Sequence, residues 1–333
     1  MLSRELKVPK ECVVLTAGLV KLHAKQTVTD IQGRSLSVTI SAQPPLLYAC
    51  GGQRGGNASN EVCRLNMETL QCQILPPMAT QRVLASATIL ERHLYVCGGR
   101  NGVKSLKSME RFDLDAETWE QSPPMQEERY GAVMIAMEGF LYFCGGFTRN
   151  RPVSAVVRFD PRTSSWEDMP PMLTPRGNAS AVVLGNRLMA CGGHNETEVL
   201  NTVEAFDPRA GLWEPLPPML ERRAAASIAM LGGFVCVSGG HDGIRELSSA
   251  ERYEPSAQCW ASISAMCEPC MNGGAVVYSG DLWVCSNALD RVSGSPLQRL
   301  DAKSSTWDYI ACAPSLPELA HVAWAVETSQ LSL

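Results

Sequence analysis

The sequence predicts an all-β ring of six four-stranded antiparallel blades, a β-propeller, and three observations predict it. Gly-Gly pairs recur at Gly51-Gly52, Gly98-Gly99, Gly145-Gly146, Gly192-Gly193 and Gly239-Gly240, each 47 residues after the last. Trp119, Trp166, Trp213, Trp260 and Trp307 keep the same step, as does Pro-Pro-Met from Pro76, Pro123, Pro170 and Pro217. An acid stands six residues before each tryptophan, at Asp113, Asp160, Asp207, Glu254 and Asp301. In the first repeat Asn66 stands six before Cys72, which takes the Trp position, and Ser286-Asn287 stands where a sixth Gly-Gly is due. Independent landmarks in one register mark a repeat architecture built from a single supersecondary unit.

Within one repeat the elements follow in order. Around Gly145, Ala132–Met137 is apolar, Glu138-Gly139 turns the chain, and Leu141–Cys144 returns as a second strand that stops at the glycine pair. After a polar loop, Val156–Phe159 forms a third strand, Asp160-Pro161 opens a turn, and Trp166 starts a fourth. Short strands, Gly/Pro/Asp turns and even spacing indicate blades. The glycine pair suits a place that needs φ > 0 or a close backbone approach. Each tryptophan offers a large buried area between blades.

Closure of the ring follows from register. The first repeat begins at its second strand, Leu46–Cys50, whereas Ala320–Glu327 lies 47 residues after Gly273 and matches a first strand. The C-terminal strand is therefore expected to complete the N-terminal blade and leave no free edge. Ser37–Ser41, an alternating stretch just upstream of Leu46, is the rival. Residues 1–35 fit no repeat and are expected to be an extension: a tail, a cap beneath the ring or the remnant of a further domain. Residues 36–333 are assigned to the propeller.

Composition bounds the partners. A net charge of −5 argues against a dedicated nucleic-acid binder. No apolar run reaches the ~18–20 residues of a membrane helix, and Ala224–Gly240, the longest uncharged stretch, is broken by four glycines. Cys12–Val20 is a short apolar run preceded by Glu5 and Glu11, unlike a signal peptide. A soluble, cytoplasmic protein is expected.

Gly-Gly ending a strand, an aromatic in the following Arg-Phe-Asp or Arg-Tyr-Glu strand, and Trp six residues after the acid resemble the Kelch repeat, over residues 46 to 327. The WD repeat fits poorly, because its period is ~40–45 residues and its Gly-His and Trp-Asp signatures are missing. Residues 1–35 are too short for the BTB and BACK domains that many animal Kelch proteins carry upstream. The resemblance implies a binding face made by two loop sets: those after the glycine pairs and those entering each first strand. The second set carries Arg82, Arg129, Arg176 and Arg223, spaced by 47 and interrupted at Cys270 and Pro317. In Kelch proteins that capture acidic peptides, an arginine here resembles the ligand-gripping residue at the channel mouth. The alternative is that these arginines brace blade to blade by bonding loop carbonyls. A second series, Arg64, Arg111, Arg158, Arg252 and Arg299, lies within third strands and is read as structural, paired with neighbours such as Glu110 and Glu251.

The loops after the glycine pairs are electrically uneven. Arg100, Lys104, Lys107, Arg149 and Arg151 make one sector basic, whereas Glu196, Glu198, Asp242 and Glu246 accompany His194 and His241 in another. Guanidinium groups there suit carboxylates or phosphates, which they can hold bidentately. With Tyr130, the expected partner-binding set is Arg82, Arg129, Tyr130, Arg176, Arg223, Arg100, Arg149, His194 and His241.

Catalytic and metal readings have less support. Cys50, Cys97, Cys144, Cys191 and Cys285 share one repeat position, which spreads them over successive blades as small buried hydrophobes. Their number and distribution suit a reducing compartment. Cys267-Glu-Pro-Cys270 is a lone CxxC with no second pair for zinc. Some Kelch propellers are copper oxidases of the galactose oxidase kind, whose site needs two Tyr and two His; here Tyr130 alone lies near His194 and His241. No P-loop, nucleophile elbow or HExxH motif occurs, and the Asn57, Asn178 and Asn195 sequons suit coincidence in a chain of free thiols. The expectation is no enzyme and no cofactor, but a protein-interaction module for an acidic or phosphorylated segment. Ubiquitin-ligase substrate adaptor and actin-binding protein are the roles that the resemblance implies; a copper-dependent oxidase and a pure scaffold using its outer strands are the rivals.

Overall fold

A computed structural model describes residues 22–29, 35–40, 45–285, 297–310 and 322–327. Ser286-Asn287 and Pro317 lie outside the described residues. Two compact units emerge, one of residues 1–45 with 328–333, the other Leu46–Glu327. In the first, Leu22–Thr29 pairs antiparallel with Ser35–Ile40. The alternating stretch that rivalled the C-terminal strand therefore belongs to this hairpin, which also spans the expected boundary at residue 36.

The second unit is six antiparallel sheets of four strands. Blade 1 consists of Ala323–Glu327, Leu46–Cys50, Val62–Asn66 and Cys72–Leu75. The C-terminal strand thus closes the N-terminal blade, with Leu46 opposite Glu327 and Cys50 opposite Ala323. Blades 2 to 6 follow in sequence, from Ser86–Leu90 to Thr118–Ser122, Val133–Met137 to Ser165–Met169, Ser180–Leu184 to Leu212–Leu216, Ser227–Leu231 to Cys259–Ile263, and Gly274–Tyr278 to Thr306–Ile310. Second strands such as Phe140–Cys144 are buried on both faces, which explains their unbroken apolar sequence. Fourth strands such as Ser165–Met169 are the exposed outer edge.

The blades adhere through apolar clusters between neighbouring sheets. Met134, Leu141 and Phe143 of blade 3 pack on Tyr95, Cys97 and Met109 of blade 2. Leu47 and Leu65 of blade 1 pack likewise on Val276, Trp283 and Cys285 of blade 6, which seals the ring. The tryptophan and Pro-Pro-Met landmarks form one device. Each indole Nε1 donates to the first proline carbonyl of the linker behind it: Trp119 to Pro76 (2.7 Å), and Trp166, Trp213 and Trp260 to Pro123, Pro170 and Pro217 (2.9 Å). In blade 6 Trp307 uses the Ser264 carbonyl instead, 2.8 Å away, because only the backbone oxygen matters.

First strands line a central cavity of about 340 Å³. Around its rim runs a girdle of backbone bonds: Gly131 N–H to Leu84 O, Asn178 to Gly131, Ala225 to Asn178 and Asn272 to Ala225, at 2.7–2.9 Å. All five residues have φ between 50° and 57°, a conformation that costs non-glycine residues energy and persists only where surroundings impose it.

Candidate partner-binding face

The loop entering each first strand meets the preceding blade through its backbone and its own blade through its arginine side chain. The Arg176 carbonyl accepts from Gly146 N–H at 2.7 Å, and a Cβ on Gly145 would overlap that same oxygen. Here the glycine pair is required, at φ 63° and 88°. The Arg176 guanidinium then turns into blade 4. It donates to Gly192 O (2.7 Å), Thr202 O (2.9 Å), Thr202 Oγ1 (2.8 Å) and Glu204 Oε1 (2.6 Å). Glu204 also accepts from Leu173 N–H at 2.6 Å, so one carboxylate fixes both the arginine and its loop.

Blades 2 and 5 repeat this brace. Arg82 reaches Gly98 O, Ser108 and Glu110, and Arg223 reaches Gly239 O, Ser249 and Glu251. Arg82, Arg176 and Arg223 are 0%, 1% and 2% exposed. The expectation that they grip a partner at the mouth gives way to the alternative: their guanidinium groups hold the blades. A second correction follows. Glu110 and Glu251 pair with Arg82 and Arg223, and not with the adjacent third-strand arginines, because successive residues of a strand point to opposite faces. Arg111 and Arg158 instead pair across to the fourth strand, with Glu120 and Glu167 at 2.6 Å, and Arg299 pairs with Asp308 at 3.2 Å.

Two blades depart from the brace in opposite ways. Blade 6 replaces both charges with neutral groups: Cys270 stands for the arginine and Gln298 for the glutamate, and the Gln298 amide still exchanges bonds with the Glu268 backbone. Blade 3 keeps the arginine alone. Ala155 takes the hydroxyl position and Val157 the carboxylate position, while Phe143, opposite Val157, fills the space. Arg129 is 4% exposed, and among the described residues its one hydrogen bond runs from Nη1 to Ala155 O at 3.1 Å. Its Nε has no partner, and its Cζ lies 5.7 Å from the Phe143 ring centre. Burial pulls the Arg129 guanidinium below its ordinary pKa, against the attraction of nearby acids such as Glu127 and Asp168.

Beside Arg129 the face carries a run of contacts across several blades. The Arg100 guanidinium lies over the Tyr130 ring, 5.1 Å from its centre, and both side chains bond Asn150 Oδ1, at 3.2 and 2.9 Å. Tyr130 stacks on Phe147 at 5.2 Å, and Phe147 approaches His194 at 6.4 Å. Arg149 and Asn150, at φ 50° and 61°, form a two-residue turn between Phe147–Thr148 and Arg151–Pro152. That turn presents exposed Arg149 and Arg151 beside the stack. Among the described residues, Arg100, Lys104, Lys107, Arg149 and Arg151 have no carboxylate within ion-pair distance, whereas Glu198 and Asp242 of the acidic sector pair with Arg222 and Arg245. The structure thus brings Arg100, Tyr130 and His194 together through Phe147 and Asn150, which the sequence reading did not select.

His241 occupies the next loop, and burial together with the neighbouring His194 lowers its pKa. Among the described residues no three His, Cys, Asp or Glu side chains converge as metal ligands. The Cys267–Cys270 pair is divided between environments, with Cys270 fully buried and the exposed Cys267 donating to Trp307 O at 3.3 Å. Burial pushes the Cys97, Cys144 and Cys191 thiols up to about 12, which leaves them protonated and inert.

The family model described as the KLHDC2/KLHL20/DRC7 Kelch-repeats domain matches residues 35–222, more than half of the chain. That of the Kelch motif matches residues 222–266. No curated protein matches the sequence.

Proposed function

We propose that this chain, which belongs to the Kelch-repeat family of β-propellers, binds a partner protein through an acidic or phosphorylated segment laid on the loop face of blades 2 to 4. One observation carries this reading: the continuous Arg100–Tyr130–Phe147–His194 run, flanked by cations without ion-pair partners. Two exposed rings and a guanidinium held by Asn150 make a preorganised surface. Aromatic and arginine side chains of this kind dominate interface energetics, because they bury much area with little loss of freedom. The free basic groups around them attract carboxylates or phosphates and speed encounter. All described cysteines are free, which supports a cytoplasmic location.

The test is affinity capture from cell extract with quantitative mass spectrometry, comparing the wild type with Arg100→Ala/Tyr130→Ala. The expected result is a set of proteins kept by the wild type and depleted at least tenfold by the variant, and weakened by raised salt. An identical set from both proteins would move binding to the outer strands and favour the scaffold reading. Co-sedimentation with filamentous actin, and a search of the captured set for ubiquitin-ligase subunits, separate the two cellular roles.

A further inference from the structure

The brace of blades 2, 4 and 5 shows what an arginine at this repeat position requires: a carboxylate from its own third strand and a hydroxyl or carbonyl at the strand's start. Blade 6, having lost the arginine, has lost the carboxylate too. Blade 3 has lost the carboxylate and the hydroxyl and kept the arginine. A buried guanidinium with one hydrogen bond is a donor without its acid.

Blade 5 shows that an acid can reach this place from outside. Glu221, its side chain 44% exposed, accepts from Arg223 Nη2 at 3.0 Å and from the Ser249 hydroxyl, in addition to the internal Glu251. The outer edge of the brace is therefore open to a carboxylate arriving from the loop face. In blade 3 the same edge is bordered by half-buried Ala155, a smaller group than Ser249, and among the described residues nothing bonds Arg129 Nη2. Glu127, at the repeat position of Glu221, lies nearby and makes no hydrogen bond to it.

We propose that Arg129 is a socket for a carboxylate brought by another protein, which accepts from Nη2 at the edge of blade 3 next to Tyr130. The inference deepens the reading above and rests on it for the protein partner. It adds a buried anchor to the exposed Arg100–Tyr130 run, and it fixes the ligand group as a carboxylate, from either an acidic side chain or a chain terminus. Where exposed arginines set encounter and salt dependence, a desolvated one sets residence time.

Two fluorescent peptides serve as probes: N-blocked tetraglutamate with an amidated C-terminus, and N-blocked tetraglutamine with a free one. Anisotropy titrations compare the wild type with three variants. Arg129→Leu removes the socket, Phe143→Val/Val157→Glu fills it from within as in blade 5, and Arg100→Ala alters only the exposed run. The wild type is expected to bind at least one probe, and the peptide bound tells side-chain from terminal carboxylate. Both socket variants should weaken that binding at least tenfold, and the filled one should melt no lower than the wild type, which rules out misfolding as the cause. Unchanged binding by both socket variants overturns the socket; if Arg100→Ala alone weakens it, the face reading survives without it. Loss in the socket variants with none in Arg100→Ala leaves the socket and removes the exposed run. A wild type that binds neither probe overturns the proposal, as does a Glu127→Gln variant that melts earlier with unchanged affinity, since Glu127 would then be the occupant.

Discussion

In blade 4 the guanidinium of Arg176 meets four acceptors of its own sheet, whereas in blade 3 that of Arg129 meets one, though both arise from the same position of the repeat. Their backbones do identical work, since each carbonyl accepts from the second glycine of the preceding blade, Gly146 for Arg176 and Gly99 for Arg129. The difference lies wholly in the side chain's surroundings. A buried ion pair contributes little over an apolar pair of equal volume, but half of one is costly. Blade 4 avoids that cost with Glu204 and blade 6 with two neutral residues, whereas blade 3 retains the unpaired charge.

The largest expected effect comes from giving blade 4 the defect of blade 3. Glu204→Leu strips Arg176 of its acid and Leu173 N–H of its acceptor, and should destabilise by about 3–5 kcal/mol. A loss below about 1 kcal/mol in denaturant melts would show that an unpaired arginine is harmless here, and the contrast between the blades would lose its meaning. Next is the backbone half of the brace. Gly145→Val forces a Cβ onto the Arg176 carbonyl at φ 63° and should cost about 2–4 kcal/mol or more. A near-neutral result would mean that the inter-blade contact yields easily.

Arg129→Leu should be far milder, within about 1 kcal/mol of the wild type in either direction, because no buried acid is left behind. Arg176→Leu, which abandons Glu204, is the matched control. Equal losses from the two would erase the distinction between brace and socket. The smallest effect is in pH. Burial and His194 depress the His241 pKa in the folded state, so the unfolded chain binds the proton more readily. The His241 contribution is therefore complete above the ordinary His pKa of about 6.5 and is lost as pH falls through the lower folded value. His241→Asn should flatten the fall of melting temperature on acidification below that point; an unaltered slope would assign it to other groups.

The ring was legible because its landmarks are backbone devices repeated in one register. A glycine that must admit a carbonyl and an indole that must reach a proline oxygen leave residue-level marks. The arginine series was equally visible, but its role was not. Glu110, Glu204 and Glu251 stand next to other third-strand residues, and only the facing of the strand decides which arginine each meets. One signal was available: Val157 interrupts the glutamates spaced by 47 at 110, 204 and 251 while Arg129 continues the arginines. Phe147 left a similar mark, an aromatic after the glycine pair where Arg100, His194 and His241 are polar. The rim girdle left none, for Leu84, Gly131, Asn178, Ala225 and Asn272 share a conformation and no chemistry.

Closure by the last strand also sets a schedule for biosynthesis. Leu46–Cys50 is made early, and its neighbour on the channel side, Ala323–Glu327, is made last. At the ~5–20 residues per second of translation, the partner arrives roughly fifteen seconds to a minute later. Blades 2 to 6 can pair their strands as they emerge, since each is local in sequence. Blade 1 waits with an open edge, the kind of edge that pairs readily with other chains. The nascent protein is thus most vulnerable to misassembly at its oldest strand, and a ribosome stalled before Ala323 releases a propeller with one seam unsewn.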